Sequence, residues 1–356
     1  MELVSVSKSY SEREVVSSLS LRLPKGSLLT LLGPSGCGKT TVLRMIAGFV
    51  EPSAGDVLID DVNVTRMIPE KRPTSMMFQS YALFPHMNVF DNVAFGLRLR
   101  GVSATDVRKR VDEILDQVDL SALSRHFPSQ LSGGQQQRTA LARSLVIGPK
   151  VLLLDEPFAA LDRDLRERMQ MELRKLQQDL AITMVVVTHD QQEAQILSDY
   201  VAVMNKGRIE QIGEPSLVYD RPATRFVASF MGFSNVLPAT ISVEAGEPVI
   251  DIAGRRLAIL PAAVASRGAG PATAAIRREE IIVLPSDVYQ SQPSAGTNLL
   301  PGKVKFVRRI GSQIALEVDT PIGLLHVLSP RQGEAISPGS DVMLAIPASQ
   351  IVVVEL

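Results

Sequence analysis

A glycine-rich loop with one lysine is the stretch of this chain whose residue types and spacing are best suited to chemistry. It reads Gly33-Pro34-Ser35-Gly36-Cys37-Gly38-Lys39-Thr40-Thr41 and matches the pattern G-x-x-x-x-G-K-[ST]. In such a loop the backbone N–H groups curl around polyphosphate oxygens, and the N-terminus of the next helix adds partial positive charge. Lys39 is expected to reach the outer phosphates, and the Thr40 hydroxyl to bind Mg²⁺. The loop therefore predicts binding of a nucleoside triphosphate.

The residues on either side of the loop predict the elements that position it. The apolar run Ser27-Leu28-Leu29-Thr30-Leu31-Leu32 predicts a strand, and Thr41-Val42-Leu43-Arg44-Met45-Ile46 predicts a helix. Taken alone, the loop could be a glycine-rich turn that merely starts a helix. Because strand, loop and helix follow one another in the order that phosphate binding requires, we favour the phosphate loop.

Two further apolar runs predict the rest of the central sheet. They are Val151-Leu152-Leu153-Leu154 and Met184-Val185-Val186-Val187, with a helical stretch from Arg163 to Asp179 between them. Unbroken apolar strands joined by a helix predict a parallel α/β sheet that is buried on both faces. Asp155 and Glu156 follow the first run directly, so we expect the Asp155 carboxylate at the carboxyl edge of the sheet, beside the phosphate loop. The alternative for this acidic pair is a solvated helix start.

A second pattern suited to anion binding is Leu131-Ser132-Gly133-Gly134-Gln135, which precedes a helix predicted from Ser132 through Arg143. With the phosphate loop and the Asp155-Glu156 pair, this signature resembles the ATP-binding subunits of ABC transporters, over residues 1 to about 235 and in the family's order. The resemblance implies an α/β P-loop NTPase with a parallel core sheet, an antiparallel β subdomain and a helical subdomain at about 80–150. It also implies an ATPase coupled to transmembrane transport, with ATP and Mg²⁺ as cofactors.

The resemblance also assigns roles to individual side chains, and the catalytic set that it implies is Glu156, His189, Gln79 and Lys39. Glu156 would polarise the water that attacks the γ-phosphate, and His189 would contact that phosphate and sense its loss. Gln79 would touch both Mg²⁺ and the attacking water. The metal ligands implied are Thr40, Gln79 and Asp155, the last through a water molecule.

Nucleotide binding in this family implies residues beyond the phosphate loop. Tyr10 matches an aromatic that stacks on adenine, although a single tyrosine near a strand can also be ordinary packing. One chain carries one phosphate loop and one signature, and in the family these face different nucleotides. The resemblance therefore implies a head-to-tail homodimer, in which Ser132, Gly133, Gly134 and Gln135 close over the partner's γ-phosphate. Asp162, in Ala160-Leu161-Asp162, matches the loop that crosses this interface.

Residues 80–100 are turn-rich in sequence and carry the aromatics Tyr81, Phe84, Phe90 and Phe95. Similar segments in the family form part of a groove for a cytoplasmic helix of the permease. The alternative is an ordinary hydrophobic patch beneath the helical subdomain. The resemblance implies two integral-membrane permease subunits as partners and, indirectly, a periplasmic or extracellular solute-binding protein.

Near residue 235 the composition changes and strands with period-two alternation follow, which predicts a small, barrel-like all-β domain. We expect domains at 1–234 and 235–356. The stretches Ala275–Ile281 and Lys303–Asp319 resemble the OB-like TOBE domain of import ATPases that serve polyamines, ferric iron, sulfate, phosphonates or sugars. The run Met76–His86 inclines the comparison toward spermidine and putrescine importers. The solute itself contacts other subunits, so this chain does not specify it.

Composition limits the remaining alternatives. The formal net charge is −1 and there is a single cysteine, Cys37, which argues against a field that recruits nucleic acid and against an internal disulfide. No basic and apolar leader is apparent at the start, so we expect a soluble, cytoplasmic chain, peripheral at the cytoplasmic face of the inner membrane if the resemblance holds. A soluble ABC-type ATPase acting on nucleic acid or ribosomes is the rival from another class, and a P-loop kinase is a third.

Overall fold

The computed structural model describes residues 1–244, 247–261, 264, 268–284, 296–331 and 336–355. The chain divides into two compact units, Met1–Ser216 and Leu217–Leu356. The elements of the first unit are, in chain order, β1 (Glu2–Tyr10), β2 (Arg13–Arg22), β3 (Leu28–Leu32), α1 (Lys39–Ala47), β4 (Ala54–Ile59), β5 (Val62–Asn63), β6 (Thr74–Met77), α2 (Val89–Leu99), α3 (Ala104–Gln117), α4 (Gly133–Leu145), β7 (Val151–Asp155), α5 (Arg163–Leu180), β8 (Thr183–Thr188), α6 (Gln191–Leu197), β9 (Tyr200–Asn205) and β10 (Arg208–Gly213).

The central sheet of the first unit has the strand order β10-β9-β3-β8-β7-β6. All neighbouring pairs from β9 to β6 are parallel, and β10 is antiparallel to β9. Every residue of β3, β7 and β8 is buried, which explains their unbroken apolar sequences. The predicted parallel α/β sheet is confirmed. Because β3, β8, β7 and β6 are neighbours, the segments that follow them emerge side by side at the carboxyl edge.

Two layers cover this sheet. On one face, α1 shares a core with the antiparallel sheet β2-β1-β4-β5. On the other face, buried residues of α2, α3, α4 and α5 form a second core. Thus the antiparallel and helical subdomains that the family resemblance implies lie on opposite sides of the sheet that carries the phosphate loop.

Two local expectations differ from the structure. Residues 80–100 are not turn-rich throughout, because α2 begins after Asn88, whose side chain accepts a hydrogen bond from Asp91 N. Val89, Val93, Ala94 and Leu97 form its buried face, a helical spacing that the aromatics of the segment obscure. The N-terminal strands are also longer than the short runs predicted, because β1 and β2 continue through irregular pairing.

The second unit is built from β-sheets, as the sequence predicts. Its two antiparallel sheets, in the orders β13-β12-β11-β14-β20 and β15-β19-β16-β17-β18, enclose one apolar core. The elements are α7 (Pro215–Asp220, which spans the boundary between the units), α8 (Arg225–Phe230), β11 (Asn235–Glu244), β12 (Glu247–Ile252), β13 (Arg255–Ala258), β14 (Gly270–Ile276), β15 (Ile282–Leu284), β16 (Thr297–Ile310), β17 (Gln313–Thr320), β18 (Gly323–Pro330), β19 (Asp341–Pro347) and β20 (Val352–Val354).

The boundary between the units lies after Ser216 rather than after residue 234. Residues 217–234 pack with the β-rich unit: Ala228 and Phe233 share a small core with Ala275 and Val354. The composition of the sequence changes only near residue 235, whereas residues from 217 onward already contact the second unit. These residues include the short helix α8, so their sequence does not show the period-two alternation of the strands that follow. Among the described residues, no helix is long and apolar enough to cross a membrane.

Candidate functional site

The phosphate loop joins the end of β3 to the start of α1. Gly38, the residue before α1, has φ 107°, and a Cβ there would lie 2.9 Å from the Val15 carbonyl oxygen. Glycine is therefore required at Gly38 both by conformation and by space. The Lys39 ammonium donates hydrogen bonds to the carbonyls of Gly33 (2.7 Å) and Pro34 (2.9 Å). These bonds hold a buried positive charge against the loop, next to backbone N–H groups at the helix N-terminus.

Thr40 and Asp155 bring the end of β7 to the phosphate loop. The Thr40 hydroxyl donates to Asp155 Oδ1 at 3.1 Å, although the two residues are far apart in sequence. Burial raises the pKa of the Asp155 carboxyl; the charge of Glu156 adds to this, while the Thr40 hydrogen bond and the charges of Arg44 and Lys39 oppose it. A hydroxyl and a carboxylate are hard oxygen donors of the kind that Mg²⁺ takes when most of its other ligands are water and phosphate oxygens. The donor set therefore fits Mg²⁺.

Glu156, Gln79 and His189 meet at the same edge of the sheet. Gln79 Nε2 donates to Glu156 Oε2 at 3.1 Å, and His189 Nδ1 lies 3.4 Å from Glu156 Oε1. Glu156 has φ 45°, a left-handed conformation, while its N–H donates to the Val187 carbonyl at 3.0 Å. The strained backbone is thus fixed by the neighbouring strand, and the carboxylate is held between an amide and an imidazole. Such a carboxylate can accept a proton from a water molecule.

The signature forms the N-terminus of α4. Ser132 Oγ accepts a hydrogen bond from Gln135 N, and Gln135 Oε1 accepts one from Ser132 N, so the two residues cap the helix reciprocally. A Cβ on Gly134 would lie 3.2 Å from Met169 Sδ on α5, and one on Gly133 would lie 3.4 Å from Leu161. None of the hydrogen bonds described for Ser132 and Gln135 reaches the phosphate loop of the same chain. The two anion-binding patterns are therefore separate features of one chain.

Asp162 and Tyr10 occupy peripheral positions. Asp162 caps α5 by accepting a hydrogen bond from Leu165 N at 2.9 Å, and the adjacent Leu161 lies beside Gly133 of the signature. Tyr10 ends β1, and the residue is 49% exposed, with the Lys8 ammonium 5.1 Å from the ring centroid. An exposed ring can stack on a base, and that role of Tyr10 stays a prediction.

Tyr81 and Arg143 form a linkage behind this site that the sequence alone does not reveal. The Tyr81 hydroxyl donates to the carbonyl of Pro157, the residue after Glu156, at 3.2 Å. Arg143, near the end of α4, donates to the carbonyls of Tyr81 and Ala82. Tyr81 was visible in the sequence only as one of several aromatics, and Arg143 only as a helix residue. No local signal joins two side chains that are about sixty residues apart.

Comparisons with known proteins show what this chain is similar to. Residues 16–159 match the family described as ABC transporter. The spermidine/putrescine import ATP-binding protein PotA of Rubrobacter xylanophilus is 45% identical over 355 residues, which cover 97% of this chain and 91% of that protein. The Fe(3+) ions import ATP-binding protein FbpC of Escherichia coli O157:H7 is 48% identical over 281 residues, covering 79% of each chain.

A solved structure extends the comparison to the fold. It is a dimer of an ATP-binding cassette in a post-hydrolysis state, bound to ADP and Pi. It is 31% identical, with a TM-score of 0.53, and the match covers 60% of this chain and 98% of that chain. The matched share is close to the length of the first unit, which carries the candidate site.

Proposed function

This chain belongs to the ATP-binding proteins of ABC transporters, and from that premise we propose that it hydrolyses ATP to drive solute import across a membrane. The observation that carries the proposal is the meeting of Gln79, Glu156 and His189 at the sheet edge that also holds Lys39 and Asp155. Ligands of open α/β sheets bind at this edge. The arrangement supplies phosphate-binding groups and a base together.

In the proposed reaction, Lys39 and the loop N–H groups bind the outer phosphates of ATP. Thr40, Gln79 and Asp155 would hold Mg²⁺, which supplies neutralisation of the phosphate charge. Glu156 accepts a proton from water as the water oxygen bonds to the γ-phosphorus and the bond to the bridging oxygen of ADP breaks. Gln79 orients that water and His189 contacts the γ-phosphate. ADP and inorganic phosphate are the products.

We assign the second half of each ATP site to another copy of this chain. Support comes from the signature, a capped helix N-terminus whose described hydrogen bonds stay within α4 and its cap. Asp162 lies near the signature, because a Cβ on Gly133 would be 3.4 Å from the side chain of the adjacent Leu161. In the proposed homodimer, Ser132 to Gln135 of one copy close over the γ-phosphate bound by the other, and hydrolysis releases the two copies.

The proposed membrane partners are two permease subunits, with this chain peripheral at the cytoplasmic face. Support comes from exposed apolar residues close to Gln79: Phe49 is 53% exposed, and its ring centroid lies 5.9 Å from that of Phe78, the residue before Gln79. Phe84 packs on Phe95 with ring centroids 4.6 Å apart and is only half-buried. An exposed apolar surface of this kind is suited to binding a helix of a permease subunit. The proposed solute-binding protein acts through the permease and not through this chain.

For the solute we propose polyamines, spermidine or putrescine, since a relative named for them matches along nearly the whole chain. Ferric iron is the alternative, because relatives named for it match at similar identity, one of them over 95% of this chain. Phosphonate, sulfate and sugars remain further alternatives within the resemblance. In each case the chemistry at the ATP site is the same.

The test is reconstitution of this chain with its permease and solute-binding protein in liposomes. We expect spermidine or putrescine to stimulate ATP hydrolysis, and Fe³⁺ to leave it at the basal rate; the Glu156→Gln variant controls for contaminating ATPase. Stimulation by Fe³⁺ alone would replace polyamine by iron. Stimulation by RNA or ribosomes, with no response to the permease, would instead favour the nucleic-acid or ribosome alternative.

A further inference from the structure

We propose that Arg143 and Tyr81 are positioning residues that connect the signature helix to the catalytic glutamine and glutamate. Together they form the 81–143 clamp, defined by Tyr81, Ala82, Arg143 and Pro157. This role rests on the proposed function. Through the 81–143 clamp, the signature, the segment after Gln79 and the ATP site of one chain would influence one another. Arg143 and Tyr81 lie outside the phosphate loop, the signature and the catalytic set.

The Arg143 side chain donates hydrogen bonds to the backbone of the segment that follows Gln79. Its Nη1 donates to the Ala82 carbonyl at 2.7 Å, and its Nη2 donates to the Tyr81 carbonyl at 2.6 Å. Its guanidinium also lies 5.8 Å from the centroid of the Phe84 ring. Two short hydrogen bonds from one planar group fix both position and direction, which a single contact could not do. Burial lowers the pKa of Arg143, but an arginine this basic stays charged at neutral pH.

The carbonyls that accept these hydrogen bonds from Arg143 belong to a strained turn. Tyr81 has φ 60° and Ala82 has φ 46°, so two successive residues with side chains adopt the left-handed conformation. Such residues persist only where surrounding contacts hold them in that conformation. Arg143 supplies contacts to both residues, and Tyr81 N adds a hydrogen bond to the Phe78 carbonyl at 2.9 Å. The turn therefore depends on the clamp.

Tyr81 carries the linkage from this turn to the catalytic strand. Its side chain is 5% exposed, and its hydroxyl donates to the Pro157 carbonyl at 3.2 Å. Burial raises the pKa of Tyr81, which keeps the hydroxyl protonated as a donor. Pro157 directly follows Glu156, and Gln79 lies two residues before Tyr81. The Gln79–Glu156 hydrogen bond is therefore flanked by a second connection between the same two segments.

The helix α4 makes the clamp sensitive to the signature. Ser132 caps its first turn and Arg143 lies near its last, about 16 Å apart along the helix axis. A helix of this length moves as one body, so a displacement of the signature when it closes over a nucleotide displaces Arg143 as well. Arg143 would then shift the Tyr81-Ala82 turn, and with it the position of Gln79 relative to Glu156.

A separate set of contacts holds residues 84–88, the part of the segment proposed to contact the permease. The 81–143 clamp is therefore not needed to fold that part. Asn92 is fully buried; its Oδ1 accepts from Phe84 N, and its Nδ2 donates to the carbonyls of Phe84, Met87 and Asn88. Removing the Arg143 guanidinium would loosen Tyr81 and Ala82 and leave residues 84–88 fixed to α2. This separation makes the role of Arg143 testable.

The experiment compares Arg143→Met, which keeps an apolar stem, Arg143→Lys and Tyr81→Phe in the reconstituted transporter. We expect kcat for ATP in the stimulated complex to fall by about 10-fold or more in Arg143→Met and Tyr81→Phe, since small misplacements of catalytic groups have such effects. KM for ATP should stay within about 2-fold, because the phosphate-binding groups are untouched. The ratio of stimulated to basal activity should fall as well, with a smaller loss in Arg143→Lys.

A double variant and a matched surface control complete the design. Arg143→Met combined with Tyr81→Phe should cost little more than the worse single change, because both remove one linkage. Arg108→Met, which removes an exposed arginine paired only with Asp112 among the ion pairs described, should behave as wild type. Tyr81→Phe removes a single hydroxyl, so it keeps the test valid if Arg143→Met proves unstable in thermal unfolding.

The outcomes separate the clamp from the proposed function. If the permease stimulates the wild-type chain, and Tyr81→Phe and folded Arg143→Met are stimulated to the same extent with wild-type kcat, the clamp is overturned while the transport function stands. A rise in KM with kcat unchanged would also overturn it, as it would indicate a role in nucleotide binding. If the permease does not stimulate even the wild type, the proposed function fails and the clamp fails with it.

Discussion

At the scale of single residues, Glu156 is the side chain on which the proposed chemistry depends most. Its carboxylate contacts both Gln79 and His189, and its left-handed backbone is held by β8. We expect Glu156→Gln to lower kcat for ATP by at least about 100-fold, because an amide cannot accept the proton from water. ATP binding should persist and yield a long-lived dimer, measured by size-exclusion chromatography with ATP.

The matched control for this prediction is Glu167→Gln on the exposed side of α5, where Glu167 pairs with Arg163 at the surface. It should leave kcat unchanged. Normal turnover in Glu156→Gln would contradict the assignment of Glu156 as the base, whatever the dimer does.

Asp199 gives a residue-scale prediction about pH. Burial acts to raise its pKa, but hydrogen bonds from Arg174 and from Leu28 N, with the Arg174 charge, outweigh burial and hold the pKa below the ordinary 3.8. The native state therefore favours the charged form. The resulting stability is complete above pH 3.8 and is lost as the pH falls further, through the native pKa.

We expect Asp199→Asn to lower the free energy of unfolding by about 1–2 kcal/mol at pH 7, since the pair is partly exposed. The difference from wild type should shrink as the pH falls below the ordinary aspartate value. Chemical denaturation at a series of pH values measures it, with the exposed Asp112→Asn as control. A difference that grows toward acid pH would contradict the direction of the shift.

At the scale of elements, the C-terminus of α1 is closed by an arginine from elsewhere in the chain. Arg72 donates to the carbonyls of Met45 and Ile46 at the end of the helix, and to those of Thr65 and Met67 in the loop beside it. It is buried, so its charge meets the negative end of the helix away from water. The phosphate loop at the other end of α1 is positioned by the same helix.

We therefore expect Arg72→Leu to lower the free energy of unfolding of the first unit by about 3 kcal/mol or more, because four carbonyls lose a donor. Thermal unfolding monitored by circular dichroism measures this loss. Arg66→Leu, at an exposed position six residues earlier, should be nearly neutral. Equal effects of the two changes would show that the carbonyl contacts of Arg72 contribute nothing specific.

At the scale of the whole molecule, the separation of phosphate loop and signature predicts complementation between chains. Lys39→Ala and Ser132→Arg should each be inactive alone. In a mixed dimer, one site combines the intact phosphate loop of one copy with the intact signature of the other. An equal mixture should therefore regain up to about a quarter of the wild-type sites, because half of the dimers are mixed and each has one intact site.

ATP hydrolysis by the mixture, measured against each variant alone, is the readout. A mixture of Lys39→Ala with Glu156→Gln is the control. Lys39 and Glu156 belong to the same half of the site, the half that carries the phosphate loop. Each of the two sites in a mixed dimer therefore contains one of the two changes, and neither site is complete. No recovery in the first mixture, with mixed dimers present by chromatography, would contradict a composite site.

Local sequence determined the parts of this protein whose structure depends on neighbouring residues. Strand, glycine loop and helix around Lys39 follow from residue spacing and from the conformations that glycine allows. The buried strands β7 and β8 follow from unbroken apolar runs, and the cap of α4 from Ser132 and Gln135. The β-rich class of the second unit follows from alternation with period two. Family resemblance then supplied the order and implied roles of the motifs.

Which distant groups meet depends on the assembled fold. The Thr40–Asp155 and Gln79–Glu156 contacts depend on the order of strands in the sheet, which the sequence of each strand does not encode. The 81–143 clamp depends on how α4 packs beside the Tyr81-Ala82 turn. The helix α2 was not predicted, because the aromatics of its segment obscure the helical spacing of its buried residues. Hydrogen bonds within a turn follow from local spacing, whereas those between elements require the assembled core to bring donor and acceptor together.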